Sequence, residues 1–453
     1  MHSSFKILVN ILFQIAFFLF VAVIIFITGC KQANENESGE WQHPLVKMGR
    51  MNSPLVEVEP FVFDDELYLL ENWRSHWHWP RRPGKTGRNE MWIAHLPDGP
   101  QNYSSRNYIS AALKGNTLGT AFVWHDRVYV FGVNEASERQ FVEMTWSEDL
   151  KNWSEPVKVL QSPKGKIFNV SITRDDKGFV FLWETNGVGT PFTMCFGRLE
   201  NLTDKWNDHI IENASYGKDK YTGGPDVIYT DGWYYLLYAE RIDEGWETRI
   251  TRSRDLIKWE DAPENHPFVS FDRDHKNLPL HPPDVHEINA TDPGLTSYDG
   301  QVLIWFTGGI QQKGGDLQWA VFNGNMTELM KSYFARSFKR EPLRFGMVTG
   351  IKPGKIDYYK ELHANPWKGV LETIKESNIE NYSIYLQNID KKFYLFSYFE
   401  YTGHDYAKDM KKMAADTTTQ RWWQETDPCQ IPLPAAAAKN QIWTQMEEVF
   451  HAK

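Results

Sequence analysis

Two residues that can exchange protons stand four positions apart near the end of the 453-residue chain, Tyr359 and His363. Apolar residues recur around them at helical spacing as far as Ile374, across an irregularity at Pro366. We therefore predict one helix with both rings on one face, about a turn apart. Imidazole gives and takes protons near neutral pH, so the pair indicates acid–base chemistry. A single histidine on a half-apolar helix is, however, more often simply packed.

Further motifs follow this pair in a fixed order. Asn381-Tyr382 begins a strand-like run with the pattern Asn-Tyr-x-Ile-Tyr-Leu, and a second predicted strand covers 393–401. A second helix ends in Gln-Arg-Trp422-Trp423, and the chain closes on Glu-Val-Phe450. In type, order and spacing these motifs closely resemble the L-rhamnose mutarotase family. The resemblance covers about a quarter of the chain, from residue 344 to the end.

The predicted element order from residue 344 is strand, helix, two strands, helix and strand. This order predicts an α+β ferredoxin-like (βαββαβ) domain over residues 341–453. The resemblance implies a mutarotase that interconverts the α and β anomers of L-rhamnose by opening and reclosing the ring. Related proteins are short, cytoplasmic and dimeric, so a homodimer through this domain is an open expectation.

The resemblance also implies a role for each matching residue. His363 is the acid–base catalyst, and Tyr359 and Tyr382 orient sugar hydroxyls. Trp422 and Trp423 offer an apolar wall to the C–H face and the 6-methyl group, although one of two adjacent tryptophans is expected to be only structural. Proton transfer alone suffices for this reaction, so we expect no cofactor and no metal.

The larger, N-terminal part repeats one local pattern, a polar turn followed by a strand rich in aromatic and β-branched residues. Asp-Gly and similar pairs at such positions indicate hairpins. The period of roughly 50 to 70 residues favours a propeller. A second motif, Ser-x-Asp-Leu-x-x-Trp, occurs twice, beginning at Ser147 and at Ser253. We predict a five-bladed β-propeller over residues 41–338, with the repeated turns and strands at 64–70, 125–131, 176–182, 231–237 and 299–305.

This pattern resembles the five-bladed glycoside hydrolases of the arabinanase and β-xylosidase type. The resemblance implies three carboxylates around a central pocket, but two are missing, because Asn169 and Gly223 stand where acids are expected. Glu59 stands in the position of the base.

Four other acidic residues could add to a different acidic pocket: Glu57, Asp226, Glu240 and Asp292. An Asp before a strand often only caps a turn, so these acids could instead be structural.

The N-terminus reads as a targeting segment. Lys6 precedes an apolar run over 7–27, and Thr28-Gly29-Cys30 resembles a bacterial lipoprotein box. The resemblance implies a signal peptide over 1–29, a lipid on Cys30 and a polar tether over 30–40. The protein would be exported and anchored to the cell envelope, with the outer membrane favoured, on its periplasmic or surface side. A retained membrane anchor is the alternative.

Charge and cysteine content exclude several classes of function. The formal net charge is −10 and no basic block is present, which argues against a nucleic-acid partner. Beyond Cys30 only Cys195 and Cys429 remain, in different predicted domains, so we expect no disulfide framework.

Three functions remain after these exclusions. The first is an L-rhamnose mutarotase coupled to a glycosidase-like propeller in the breakdown of rhamnose-containing polysaccharide. The second is a glycoside hydrolase that acts on rhamnose-containing oligosaccharides, with an accessory C-terminal domain. The third is a non-catalytic, glycan-binding surface lipoprotein.

Overall fold

The computed structural model describes residues 40–74, 89–189, 191–242, 245–276, 278, 284–310 and 314–452. The predicted signal peptide, Cys30 and nearly all of the tether lie outside these residues. Among the residues described, no helix is both long and apolar enough to cross a membrane.

The first part of the chain forms five four-stranded blades around an axis. The innermost strands β2, β6, β10, β14 and β18 pack side by side, and β18 returns to β2, so the ring is closed. The N-terminal strand β1 closes it further by pairing antiparallel with β20 as the outer strand of the fifth blade. The predicted five-bladed propeller is confirmed. Its strands are β1 (Val46–Arg50), β2 (Glu59–Phe63), β3 (Glu66–Trp73), β4 (Glu90–His95), β5 (Asn107–Lys114), β6 (Asn116–Trp124), β7 (Arg127–Asn134), β8 (Phe141–Ser147), β9 (Val157–Gln161), β10 (Ile167–Asp175), β11 (Gly178–Thr185), β12 (Thr193–Leu199), β13 (Ile210–Tyr216), β14 (Thr222–Thr230), β15 (Trp233–Ile242), β16 (Gly245–Ser253), β17 (Trp259–Asp261), β18 (Asn289–Tyr298), β19 (Gln301–Ile310) and β20 (Gly314–Phe322).

The five repeated turns of the sequence all lie in the same place, between the first and second strands of each blade. Asp64 and Asp65 have φ of 50° and 61°, and Asp299 and Gly300 have φ of 50° and 72°. Positive φ at both central residues is the conformation of the two-residue turn whose twist matches paired strands. The repeated turn-and-strand pattern therefore marked the first hairpin of each blade, although only Asp231-Gly232 and Asp299-Gly300 are Asp-Gly pairs.

Near its beginning, each of the inner strands β6, β10, β14 and β18 carries a bulge that shifts its register against the second strand of the blade. Glu57, just before β2, and Asp292, inside β18, have φ of 56° and 52°. A bulge bends the strand and re-aims its side chains. These local distortions turn several carboxylates toward the propeller axis.

The C-terminal part is a mixed α+β domain with the predicted element order. Its sheet has the order β22–β23–β21–β24, and β25 also pairs with β21. The strands are β21 (Leu343–Ile351), β22 (Ile379–Ile389), β23 (Lys392–Tyr401), β24 (Gln430–Ile431) and β25 (Thr444–Met446). The helices, counted after α1 (Met326–Ser332) of the propeller, are α2 (Ile356–Ala364), α3 (Lys368–Glu376), α4 (Tyr406–Ala415), α5 (Thr417–Thr426) and α6 (Pro434–Ala437).

Each of the two predicted helices of this domain is in fact a pair. The prediction of one helix running past Pro366 is wrong, because α2 ends at Ala364 and α3 begins at Lys368. Proline lacks the N–H that a helix needs and disfavours a helical residue before it, here Asn365. In the second pair, Asp416 ends α4 and caps α5 by accepting a hydrogen bond from Thr419 N at 2.7 Å.

The propeller and the α+β domain pack as one compact unit, His43–Ala335 with Arg340–Lys453. A single buried core joins Trp305 and Trp319 of the last blade to Phe345 and Tyr401 of the C-terminal sheet. Arg340 ties the same parts together by donating to four backbone carbonyls, those of His43, Leu45, Thr402 and Gly403. Residues 41–42 and 336–339 form a separate small unit, in which Trp41 makes a parallel bridge with Phe338.

Candidate functional site

A cavity of about 740 Å³ opens in the α+β domain. Helix α2 contributes Tyr359 and His363, strand β22 contributes Tyr382, and α5 contributes Trp422 and Trp423. All five residues singled out in the sequence of this domain therefore line one cavity. Their meeting depends on the packing of two helices against one strand, which sequence spacing alone does not specify.

His363 is held in one tautomer by its own helix. Its Nδ1 lies 2.8 Å from the backbone carbonyl oxygen of Tyr359. A carbonyl only accepts hydrogen bonds, so in the neutral ring Nδ1 carries the proton and Nε2 is left as a base. Burial lowers the pKa of His363 below its ordinary value, opposed in part by the bond to Tyr359. The imidazole is therefore neutral at physiological pH and ready to accept a proton.

Aromatic contacts fix the plane of this imidazole. The rings of Tyr359 and His363 stack with centroids 4.1 Å apart, as expected for positions i and i+4 of a helix. Trp422 meets His363 edge-on at 5.2 Å and is itself packed against Trp367 at 5.3 Å. Burial also raises the pKa of the Tyr359 phenol, so this group keeps its proton at neutral pH.

Two of the predicted sugar-binding residues lie at the rim. Tyr382 is 44% exposed and Trp423 is 37% exposed, whereas Trp422 is only 7% exposed. Both tryptophans border the cavity, so Trp422 lines the site and also packs the domain. The arrangement gives a buried apolar wall at Trp422 and two partly exposed aromatic residues at the rim.

Some lining residues were not singled out from the sequence. Asp427 borders the cavity just after α5, and burial raises the pKa of its carboxyl. Gln101 and Asn102 border it from the propeller, more than 250 residues before His363. No local sequence signal marks such residues, because only the packing of the two parts brings them to the cavity.

The propeller carboxylates singled out from the sequence also lie close together. Glu59, Asp226 and Asp292 line one small cavity on the axis, together with Glu57 and Asn169. The carboxylate of Asp292 packs against Gly224, where an added Cβ would lie 1.9 Å from Asp292 Oδ1. This cavity measures about 30 Å³, room for about one water molecule. Glu59 and Asp226 also line a second cavity of about 250 Å³, which residues of all five inner strands surround.

Burial raises the pKa values of this acidic cluster. The pKa of Glu57 is raised to about 7, although Arg74 donates a hydrogen bond to its carboxylate and opposes the shift. The pKa of Asp226 is raised to about 6, although Ser171 Oγ donates a hydrogen bond to its carboxylate at 2.7 Å. The pKa of Glu59 is raised well above its ordinary value by burial and by the charge of Asp226. At neutral pH Glu57 is therefore partly protonated, whereas Asp226 is mostly ionised.

Glu184 is a further carboxylate of this cluster that the sequence analysis missed. It is 2% exposed in β11, and burial together with the charges of Glu57 and Asp292 raises its pKa to about 8. Asn169 Nδ2 donates to it at 2.7 Å and Gly224 N at 3.2 Å. It thus reaches the backbone beside Gly223, where the expected acid is missing. An acidic residue at the end of the apolar run Phe-Val-Phe-Leu-Trp was the available signal.

Glu240, in contrast, does not join the cluster. Its carboxylate lies 3.6 Å from Lys220 Nζ and 3.5 Å from Arg249 Nε, and it does not line the axial cavity. The suggestion that Glu240 contributes to an axial acidic pocket is therefore wrong. Strand alternation directs it into surface ion pairs instead.

The C-terminal fold and cavity define a small α+β domain with a histidine in the wall of a largely aromatic cavity. A family model described as L-rhamnose mutarotase matches residues 344–452. The L-rhamnose mutarotase of Bacillus subtilis is 31% identical over 108 residues, which cover 24% of this chain and 96% of that protein. That of Oceanobacillus iheyensis is 28% identical over 108 residues with the same coverage. Through its C-terminal domain the chain belongs to the L-rhamnose mutarotase family.

A solved structure with overall similarity is the catalytic domain of the Coprinopsis cinerea GH62 α-L-arabinofuranosidase. It is 13% identical, has a TM-score of 0.47, and covers 62% of this chain and 97% of that chain. Similarity at this level does not identify an activity.

Proposed function

We propose that the C-terminal domain is an L-rhamnose mutarotase that interconverts the α and β anomers of the free sugar. The observation that carries the proposal is the imidazole of His363, held by the Tyr359 carbonyl in the tautomer that leaves Nε2 as a base. This base lies in a cavity that also offers phenols and an indole wall. Ring opening needs proton transfer and no other chemistry.

The reaction proceeds in balanced steps. His363 Nε2 takes the proton of the anomeric hydroxyl as the bond from C1 to the ring oxygen breaks, and the resulting imidazolium gives that proton to the ring oxygen. The open-chain aldehyde turns about its C1–C2 bond. The hydroxyl on C5 then attacks the other face of the carbonyl and loses its proton while the carbonyl oxygen gains one. One imidazole can serve both oxygens, because both are bonded to C1.

The walls favour a deoxy sugar. Trp422 presents an apolar face, and Met410 and Met413 of α4 line the same cavity. A 6-methyl group gains contact with such a wall, whereas a 6-hydroxyl would lose its hydration. Tyr359, which keeps its proton, and Tyr382 at the rim hold the ring hydroxyls by hydrogen bonds.

The test is exchange between the two anomers of L-rhamnose, followed by saturation-transfer NMR with the purified protein. We expect clear acceleration over buffer alone. L-Mannose, which differs only by the 6-hydroxyl, is the matched control and should react with a kcat/KM lower by about tenfold or more. No acceleration with L-rhamnose would contradict the proposal.

We also propose that this reaction occurs outside the cytoplasm. The lipoprotein box at Cys30 supports an exported protein held in the cell envelope by a lipid, with the outer membrane favoured. There the domain would equilibrate rhamnose released from rhamnose-containing oligosaccharides. Replacement of Cys30 by Ser should release the protein from the membrane fraction, and retention in that fraction would contradict the lipid anchor.

The C-terminal sheet supports a further proposal, a homodimer through this domain. Tyr385 and Val348 both pair with Phe396, so these three side chains share one face of the sheet. Tyr385 is 63% exposed, and Val449 and Phe450 near the chain end are 86% and 82% exposed. Exposed apolar residues of this kind mark an interaction surface. Sedimentation should show a dimer, and Tyr385→Lys should shift it to a monomer.

A second candidate function is glycoside hydrolysis at the propeller axis. It is favoured by Glu184, which holds a proton at neutral pH beside the carboxyls of Glu57 and Asp292. A proton donor next to a carboxylate is the pair that glycosidic cleavage requires. The test is release of sugar from rhamnose-containing oligosaccharides, which Glu184→Gln should abolish. Absence of released sugar would contradict this second function.

A further inference from the structure

The sugar cavity is built by both parts of the chain. Gln101 and Asn102 of the propeller turn Pro100–Ser105 line it together with Lys439 and Gln441, which follow α6. Lys439 Nζ donates to Asn102 Oδ1 at 2.7 Å. The propeller therefore supplies one wall of a cavity whose reacting group, His363, belongs to the other domain.

This propeller wall is firmly anchored. Tyr103, in the same turn, is 4% exposed, and its hydroxyl donates to the buried carboxylate of Glu71 at 2.9 Å. Arg106 donates to the same carboxylate at 2.7 Å and stacks 4.0 Å above the Tyr103 ring. Because these groups belong to the propeller core, Gln101 and Asn102 are held in place before any ligand arrives.

The cavity is larger than one deoxyhexose requires. Cavities of about 300–1,000 Å³ enclose drug-sized ligands, and this one measures about 740 Å³. Its two kinds of wall also differ in chemistry. Around His363 the wall is aromatic, whereas Gln101, Asn102, Gln441 and Lys439 offer amides and an ammonium group, which hydrogen-bond sugar hydroxyls.

We propose that the cavity takes a reducing oligosaccharide whose reducing-end deoxyhexose opens at His363, while the next sugar residue binds the propeller turn and Lys439. This inference rests on the proposed mutarotase function and adds its substrate class. The propeller then acts as a specificity-determining part of the site. The free monosaccharide remains a substrate, but it leaves the propeller wall unused.

The test compares L-rhamnose with a disaccharide that carries L-rhamnose at its reducing end, each followed by anomer exchange in NMR with the full-length protein. We expect the disaccharide to have a kcat/KM about tenfold higher, mainly through a lower KM. Lys439→Met and Asn102→Ala should each reduce this preference by about three- to tenfold, the worth of a lost hydrogen bond. Lys375→Met and Asn388→Ala, exposed residues that do not line the cavity, are the matched controls.

The outcomes separate this inference from the proposed function. If L-rhamnose is exchanged but the disaccharide is not preferred, or if the two variants leave the preference unchanged, the inference is wrong and the mutarotase function stands. If neither sugar is exchanged, the mutarotase function is wrong, and the inference falls with it.

Discussion

The cavity around His363 and the carboxylate cluster on the propeller axis differ in the size of their cavities and in the kind of titratable group that they hold. The cavity places the neutral imidazole of His363 in about 740 Å³ of space with aromatic walls. The axis holds at least five carboxyl groups whose pKa values are raised by burial, around cavities of about 30 Å³ and 250 Å³. One region combines a large, aromatic-walled cavity with a histidine, and the other combines many buried acids with smaller cavities.

The comparison teaches that reactive side chains alone do not identify a site. Glu59, Asp226 and Asp292 meet on the axis, as their motifs suggested, yet the cavity that all three line measures only about 30 Å³. His363 is a weaker signal in the sequence, but the folded domain gives it a fixed tautomer, an apolar wall and space. The predictions below test this contrast from each side.

The largest expected effect concerns the cavity wall. Trp422→Ala should lower the free energy of unfolding by about 3–5 kcal/mol, because the ring is buried between His363 and Trp367. Trp423→Ala should cost about 1 kcal/mol or less, since this ring is 37% exposed. Denaturant unfolding followed by near-UV circular dichroism measures both. Equal costs would contradict the division of roles between the two tryptophans.

The next effect concerns the axis. The pKa of Glu184 is raised from 4.5 to about 8, so the folded state holds an extra proton between these values and loses stability as the pH rises through this window. Glu184→Gln removes the cost and should stabilise the protein by about 1–3 kcal/mol at pH 8.5, with no gain at pH 4.

Thermal unfolding at the two pH values measures this gain, with the exposed Glu148→Gln as control. Anomer exchange should not change in the Glu184 variant. A loss of stability at pH 8.5 would show that the ionised carboxylate, rather than the protonated one, is the form that the axis stabilises.

The smallest effect is a shift in the pH profile of anomer exchange. His363 must be neutral to act as a base, and burial lowers its pKa from 6.5. The rate should therefore rise on the acid side with an apparent pKa below 6.5 and stay level through neutral pH. A midpoint above 6.5 on the acid side would contradict this, because it would mean that a nearby carboxylate or other group stabilises the imidazolium form of His363.

Much of the fold could be predicted from the sequence, because its signals are local. Turn pairs such as Asp64-Asp65 and Asp299-Gly300 sit at the tips of hairpins, so their spacing gives the number of blades. The break at Pro366 could have been predicted by the same local rules, and the expectation of one continuous helix gave the apolar spacing too much weight.

The sites were harder to predict, for physical reasons. Tyr359 and His363 are neighbours on one helix, so their stacking follows from helical geometry. Glu184 contacts Gly224 of the next blade, and Gln101 and Asn102 reach the cavity through the packing of the two domains. No short window of sequence contains such contacts. The pKa values of the axial acids depend on burial, which is likewise a property of the packed molecule.

The most direct test of the account is the rate of anomer exchange of L-rhamnose in three variants compared with the unaltered protein. His363→Ala should lower kcat by at least about a hundredfold, the usual worth of a positioned acid–base group. Glu184→Gln and His451→Ala, an axial acid and an exposed histidine of the same domain, should leave the rate unchanged. Exchange that survives in the His363 variant but is lost in the Glu184 variant would place the chemistry on the propeller axis and contradict the account.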